Sequence, residues 1–197
     1  TMQTGIHRIY TLLCSVLLLF SGGAHVMAND TLFLDDRSTG DKRANTGATW
    51  RLDTDGVMGG KSSGKLTVEP IDGRDCLHLQ GDVSVENNGG FIQMALDIDT
   101  DSARRVPDYT GIELDVFGND EAYNLHLRTT DLWLPWQSWR TTFTAPGDWY
   151  TVRLPFAGFS AYRTGKTLRL DRLERIGLVA IGRAFTADLC VARVVLY

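Results

Sequence analysis

Histidine, cysteine and proline are scarce in this chain: four, three and five among 197 residues. The shortage narrows the chemistry. No HExxH and no CxxC occurs, so the usual sequence signatures of zinc and thiol-redox sites are missing. His7 and His25 lie in the first 28 residues, which leaves His78 and His126. No basic run occurs either, and 20 Lys and Arg stand against 24 Asp and Glu, a formal net charge of −4. That excludes the electrostatic footprint of a nucleic-acid binder. After residue 28 there is no long apolar run, so no stable membrane span is expected there.

One apolar run is present. Ile9 to Phe20, "IYTLLCSVLLLF", follows His7 and Arg8 and precedes the small-residue stretch "SGGAHVMA". It is short of the ~20 residues that span a bilayer. The layout is that of a secretory signal peptide, with Val26 and Ala28 placed for cleavage after Ala28. An uncleaved anchor is the alternative. Met2 reads as the start. Leu13 stands before Cys14, where lipid attachment needs a small residue. The expectation is a periplasmic or secreted protein with a single domain over residues 29–197, and a monomer. A chain of that size buries about 70% of its unfolded surface. In an oxidising compartment Cys76 and Cys190 are disulfide candidates; two buried free thiols are the other reading.

The rest is patterned with period two. "GIELDVFG" sets Ile112, Leu114 and Val116 against Glu113, Asp115 and Phe117. "AYNLHLRTT" sets Tyr123, Leu125 and Leu127 against Asn124, His126 and Arg128, and "WYTVRLP" aligns Tyr150, Val152 and Leu154. Such runs bounded by Gly, Pro, Asn and Asp read as half-buried antiparallel strands. Further strands are expected near 32–34, 48–52, 65–70, 75–85, 90–97, 138–144, 175–182 and 186–196, and a helical turn near 171–175. Spacing of roughly ten residues between strands implies an all-β sandwich or jelly roll.

The densest local signal is "DGVMGGKSSG", Asp55 to Gly64. It is not a P-loop: five residues before Gly60 stands Asp55 instead of Gly, and no helix is patterned after it. It is not a calcium loop, because "DTDG" is followed by no third acidic ligand or closing Glu. A calcium site made from scattered loops stays open. As a turn, it places Gly59 and Gly60 where positive φ is tolerated and Ser62 and Ser63 where hydroxyls tie a loop.

The stretch Trp50 to Gly64 resembles the opening signature of the complex I intermediate-associated protein 30 family. Four more blocks follow in order: "GDVSVENNGGFIQ", "YTGIELDVFGNDEAYNLHLRT", "GDWYTVRLPFAGF" and "IGLVAIGRAFTADLCVARVVLY". The resemblance implies a galactose-binding-like jelly roll, no catalytic activity and no cofactor. Mitochondrial members help to assemble respiratory complex I on the matrix side. An exported relative faces the other side, so what carries over is a capacity to bind proteins or envelope assemblies.

The candidate ligand-binding set has three parts. Asp55, Gly59, Gly60 and Ser62 would shape a rim. Gln93, Asn124, His126, Arg128 and Arg140 would line a polar strand face, the alternative for that row being a solvated sheet face. Trp133, Trp136 and Trp139 in "DLWLPWQSWRTTF" would give stacking platforms beside it, or else cap the sandwich. Trp50 and Trp149 read as core. A carbohydrate-binding module using these tryptophans is therefore the alternative to a protein-binding domain. Asp53, Asp55, Glu86 and Asp115 are the carboxylates from which a glycoside hydrolase would need a facing pair ~5–10 Å apart.

Overall fold

A computed structural model describes residues 31–197; the signal-peptide and cleavage expectations lie outside the described residues. The strands are β1 (Leu32–Asp35), β2 (Arg51–Thr54), β3 (Ser63–Ile71), β4 (Arg74–Val83), β5 (Phe91–Asp97), β6 (Gly111–Gly118), β7 (Glu121–Thr129), β8 (Ser138–Ala145), β9 (Tyr150–Pro155), β10 (Ser160–Tyr162), β11 (Leu173–Ile181) and β12 (Phe185–Leu196). They form two antiparallel sheets. The first runs β3-β4-β12-β6-β9, and β1 joins it on β12. The second runs β10-β8-β7-β11-β5-β2.

The alternating side chains build the core between the sheets. Leu77, Leu79, Ile112, Leu114, Val116, Leu189, Val191, Val194 and Leu196 come from the first sheet. Ile92, Met94, Leu96, Tyr123, Leu125, Leu127, Ile176 and Leu178 come from the second. Each fully buried aliphatic chain of this kind contributes about 1.5–3 kcal/mol of transfer free energy. The patterned face of "WYTVRLP" is only partly used: Leu154 is buried, Val152 half-buried and Tyr150 exposed.

Several buried polar groups are tied into networks. Trp50 donates its indole N–H to Asp35 at 2.6 Å, and Asp35 also pairs with Arg37, whose guanidinium reaches the carbonyls of Asp41 and Arg43. This network anchors the polar lead-in before β2. The Tyr123 hydroxyl donates to Asn119 and accepts from the Asp188 amide, and burial pushes it up to about 12.

Cys76 and Cys190 are joined as a disulfide, with Cα atoms 5.6 Å apart. It lies on the outer face of the first sheet in a small apolar cluster with Ala192, Ile71, Phe117 and Trp149. Trp149 is therefore not in the main core; it stacks on Phe117, takes Arg74 over its ring and donates to the Ile71 carbonyl. Two elements depart from the sequence reading. The short helix α1 (Thr100–Arg105) is capped by Asp99, which accepts from the amides of Asp101 and Ser102. The helical turn falls at Leu170–Arg172, and β11 begins at Leu173, inside the span expected to be helical.

Candidate functional site

Strand register sets the outer face of the second sheet. One row runs Asp53, Gln93, Val179, Asn124, Thr142 across five strands. The next runs Arg51, Ala95, Gly177, His126, Arg140, Ser160 across six. At ~4.8 Å between strands, the first row is about 19 Å long. Ala95 and Gly177 give the second row a low floor. Gln93 lies over it, because a Cβ on Gly177 would come 2.8 Å from Gln93 Oε1.

The polar groups of this face are partly spoken for. Gln93 donates to Asp53 at 2.9 Å, which leaves its oxygen toward Gly177. Thr142 donates to Asn124 Oδ1 at 2.8 Å, which leaves the Asn124 amide N–H donors unused. Burial, and then the Arg140 charge, hold the His126 imidazole down at about 4, so it is neutral at pH 7. Its Nε2 is buried without a partner. Arg140 lies over the Tyr162 ring, 3.6 Å from the centroid.

Arg128 has a different task. Its Nη1 donates to the carbonyls of Leu134, Pro135 and Gln137 at 2.9, 3.1 and 2.6 Å. It thus pins the loop between β7 and β8. Gln137 completes the clasp, accepting from the amides of Trp133 and Leu134 and donating to the Arg163 carbonyl. The loop presents Trp133 88% exposed and Trp136 48% exposed. Trp139 does not belong with them. It is 3% exposed in the core, because β8 has begun and alternation turns it inward.

The glycine-rich stretch sits at the opposite end of the sheet, by the β2 and β5 edge. Asp55 is not on a rim; it is fully buried. Its carboxylate accepts from the Ser62 amide at 3.0 Å, the Ser62 hydroxyl at 2.6 Å, and the amides of Gly90 and Phe91. Burial opposes the charge, but these hydrogen bonds outweigh it and hold Asp55 below its ordinary value. Gly59 has the positive φ expected, 85°. Gly60 is required for space: a Cβ there would lie 2.2 Å from Asp55 Cγ. Ser62 is buried, and its hydroxyl also links to Ser84. Asn87 donates to the Gly59 carbonyl. The stretch ties two loops together around one carboxylate, and Val57, Met58 and Val85 project from them, exposed.

So the structure brings together Gln93, Asn124, His126 and Arg140 on one face, with Arg128, Trp133 and Trp136 at one end of it. Asp55, Gly59, Gly60 and Ser62 form a separate structural knot at the other. The aromatic Tyr162, on the edge strand β10, was not singled out from the sequence; three residues between turns gave no periodicity to read. Each of the four carboxylates has its own partners: Asp53 accepts from Gln93, and Asp55 is enclosed in its loop hydrogen bonds. Asp115 lies on the outer face of the other sheet, bound by Arg193, Arg74 and Thr151, and Glu86 pairs with Lys61. Among the described residues no cluster of His, Cys, Asp or Glu is arranged for a metal ion, and no helix is long and apolar enough to cross a membrane. A shallow depression of about 290 Å³ between β3 and β4 opens beside Lys65 and Gln80, away from this face.

The architecture is that of a two-sheet antiparallel β-sandwich. The Family 11 carbohydrate-binding module of the cellulosomal cellulase Lic26A-Cel5E of Clostridium thermocellum is similar, with a TM-score of 0.60, 16% identity, and 84% of this chain and 93% of that chain covered. A Clostridium thermocellum Family 11 module in complex with a β-1,3-1,4-mixed-linked tetrasaccharide has a TM-score of 0.59 at 16% identity, covering 84% and 94%. At these identities the likeness is one of fold. No curated protein matches the chain significantly. The family model for Complex I intermediate-associated protein 30 (CIA30) matches residues 40–189, and the chain belongs to that family.

Proposed function

We propose that this is a non-catalytic binding domain that engages an envelope or protein partner through the outer face of its second sheet. The observation that carries it is the pairing of a polar, low-floored strand face with a clasped loop holding two tryptophans out to solvent. Rigid presentation of aromatics beside polar groups is what recognition surfaces share. Family membership favours an assembly role with a protein partner. Export to an oxidising compartment fits the Cys76–Cys190 disulfide.

A second reading has its own support. Unused donors on Asn124 and an acceptor on Gln93 suit saccharide hydroxyls, Trp133 and Trp136 suit stacking on sugar rings, and the fold is shared with modules of that kind. Tryptophan-fluorescence titration with oligosaccharides and cell-wall fragments separates the two. A saturable change lost in folded Trp136→Ala favours the saccharide. No response over the whole panel favours the protein partner.

A further inference from the structure

Arginine is well supplied with partners in this protein, with two exceptions. Among the described residues, every arginine but Arg140 and Arg163 donates a side-chain hydrogen bond to a carboxylate, carbonyl or hydroxyl. On the second sheet's outer face, Arg51 and Arg175 share Asp97, and Arg128 holds the tryptophan loop. At that sheet's margins, Arg172 takes Asp131 and Arg183 takes Glu121. Arg140 and Arg163 instead share one aromatic ring. Arg140 is 3.6 Å and Arg163 5.2 Å from the Tyr162 centroid.

Stacking of this kind fixes a guanidinium plane while leaving its N–H fork unspent. No carboxylate answers either fork, in a chain whose net charge is −4. The same place holds a second irregularity. His126 Nε2 and Ser138 Oγ are buried without partners. His126 is the register neighbour of Arg140, and Ser138 that of Tyr162. Ser138 is 4% exposed. Buried polar atoms without partners are uncommon, and an ordered water is one way such atoms are satisfied. The tryptophan loop adjoins: Gln137 donates to the Arg163 carbonyl, one residue after Trp136.

We propose that this corner binds an acidic saccharide, with sugar rings on Trp136 and Trp133 and uronate carboxylates on the forks of Arg140 and Arg163. The inference rests on the saccharide reading of the face and adds the charge of the ligand. A planar carboxylate matches a guanidinium fork in two parallel hydrogen bonds, which an ammonium or an amide does not offer. A neutral glucan would leave both forks unanswered.

The test is calorimetric titration of the full chain with tetragalacturonate, tetraglucuronate and tetramannuronate, against cellotetraose and a β-1,3-1,4-mixed-linked tetrasaccharide. At least one acidic probe is expected to bind about tenfold or more tightly than both neutral ones, and to weaken with added salt. Arg140→Gln and Arg163→Gln should each cost about tenfold or more for that probe, with Arg140→Lys only partly restoring it. Arg163 is exposed, so its variant keeps the test intact if Arg140→Gln folds poorly. Neutral probes binding as tightly as acidic ones, or both Gln variants binding unchanged, would overturn the charge assignment and leave the saccharide reading standing. No binding of any probe would overturn both.

Discussion

Gly60 packs flat against the side chain of Asp55: a Cβ on Gly60 would fall 2.2 Å from Asp55 Cγ and 2.4 Å from Oδ1. A Cβ on Gly89 would fall 2.4 Å from Oδ2 of the same carboxylate and 2.9 Å from Gly60 Cα. Two neighbouring glycines from different loops thus pack against one acid. Gly60→Val is expected to destabilise the protein by about 3 kcal/mol or more, because the clash is with a fully buried group that cannot yield. Gly47→Ala, at a turn where a Cβ meets nothing within 4 Å but φ is +84°, should cost only about 1 kcal/mol. Urea denaturation of both variants checks the ranking.

The tryptophans of one short segment should separate by consequence. Trp139→Ala removes a core ring and is expected to cost about 3–5 kcal/mol. Trp136→Ala, on the clasped loop, should stay within about 0.5 kcal/mol of wild type while impairing ligand binding. Thermal melts paired with a binding assay check both.

His126 makes the protein sensitive to mild acid. Its ordinary value is 6.5, and the folded value is about 4. Between those values the unfolded chain takes up a proton that the folded protein refuses. The neutral-imidazole contribution is therefore whole above pH 6.5 and is lost as pH falls toward 4. Wild type should lose stability across that window, and His126→Gln should show a shallower slope there. Asp115 acts lower. Burial opposes its charge, but hydrogen bonds from Arg193, Thr151 and Arg74 bring it to about 2. Its contribution holds above pH 3.8 and disappears toward pH 2.

Opening the disulfide should be costly. Cys76 and Cys190 are 114 residues apart, so the cross-link restricts most of the unfolded chain. Cys76→Ala with Cys190→Ala is expected to lower stability by about 2–5 kcal/mol. Denaturation of the double variant, and of wild type with and without reductant, checks this.

Much of the fold was legible because both faces of the strands obey one alternation. Ile112, Leu114 and Val116 announce β6, and Tyr123, Leu125 and Leu127 announce β7. Where alternation is too short, it fails: β10 has three residues. Helix α1 was missed although its signals are present, an Asp99 cap and Pro107 after the last turn. The site was half legible. Asn124, His126 and Arg140 share a face because period two dictates it. The roles of Asp55 and Arg128 were not readable, since both depend on backbone groups far along or across the chain: Gly90 and Phe91 for Asp55, three loop carbonyls for Arg128. Trp139 looked like its neighbours by spacing, yet the start of β8 turns it inward.

The central claim is that the outer face of the second sheet is the binding surface. Site-specific photo-cross-linking in the producing cells tests it most directly, with the reactive side chain placed at 136 or 142 on that face and at 65 on the outer face of the first sheet. The account predicts discrete adducts from 136 and 142 and only background from 65. Adducts concentrated at 65, or none from 136 and 142, would contradict it.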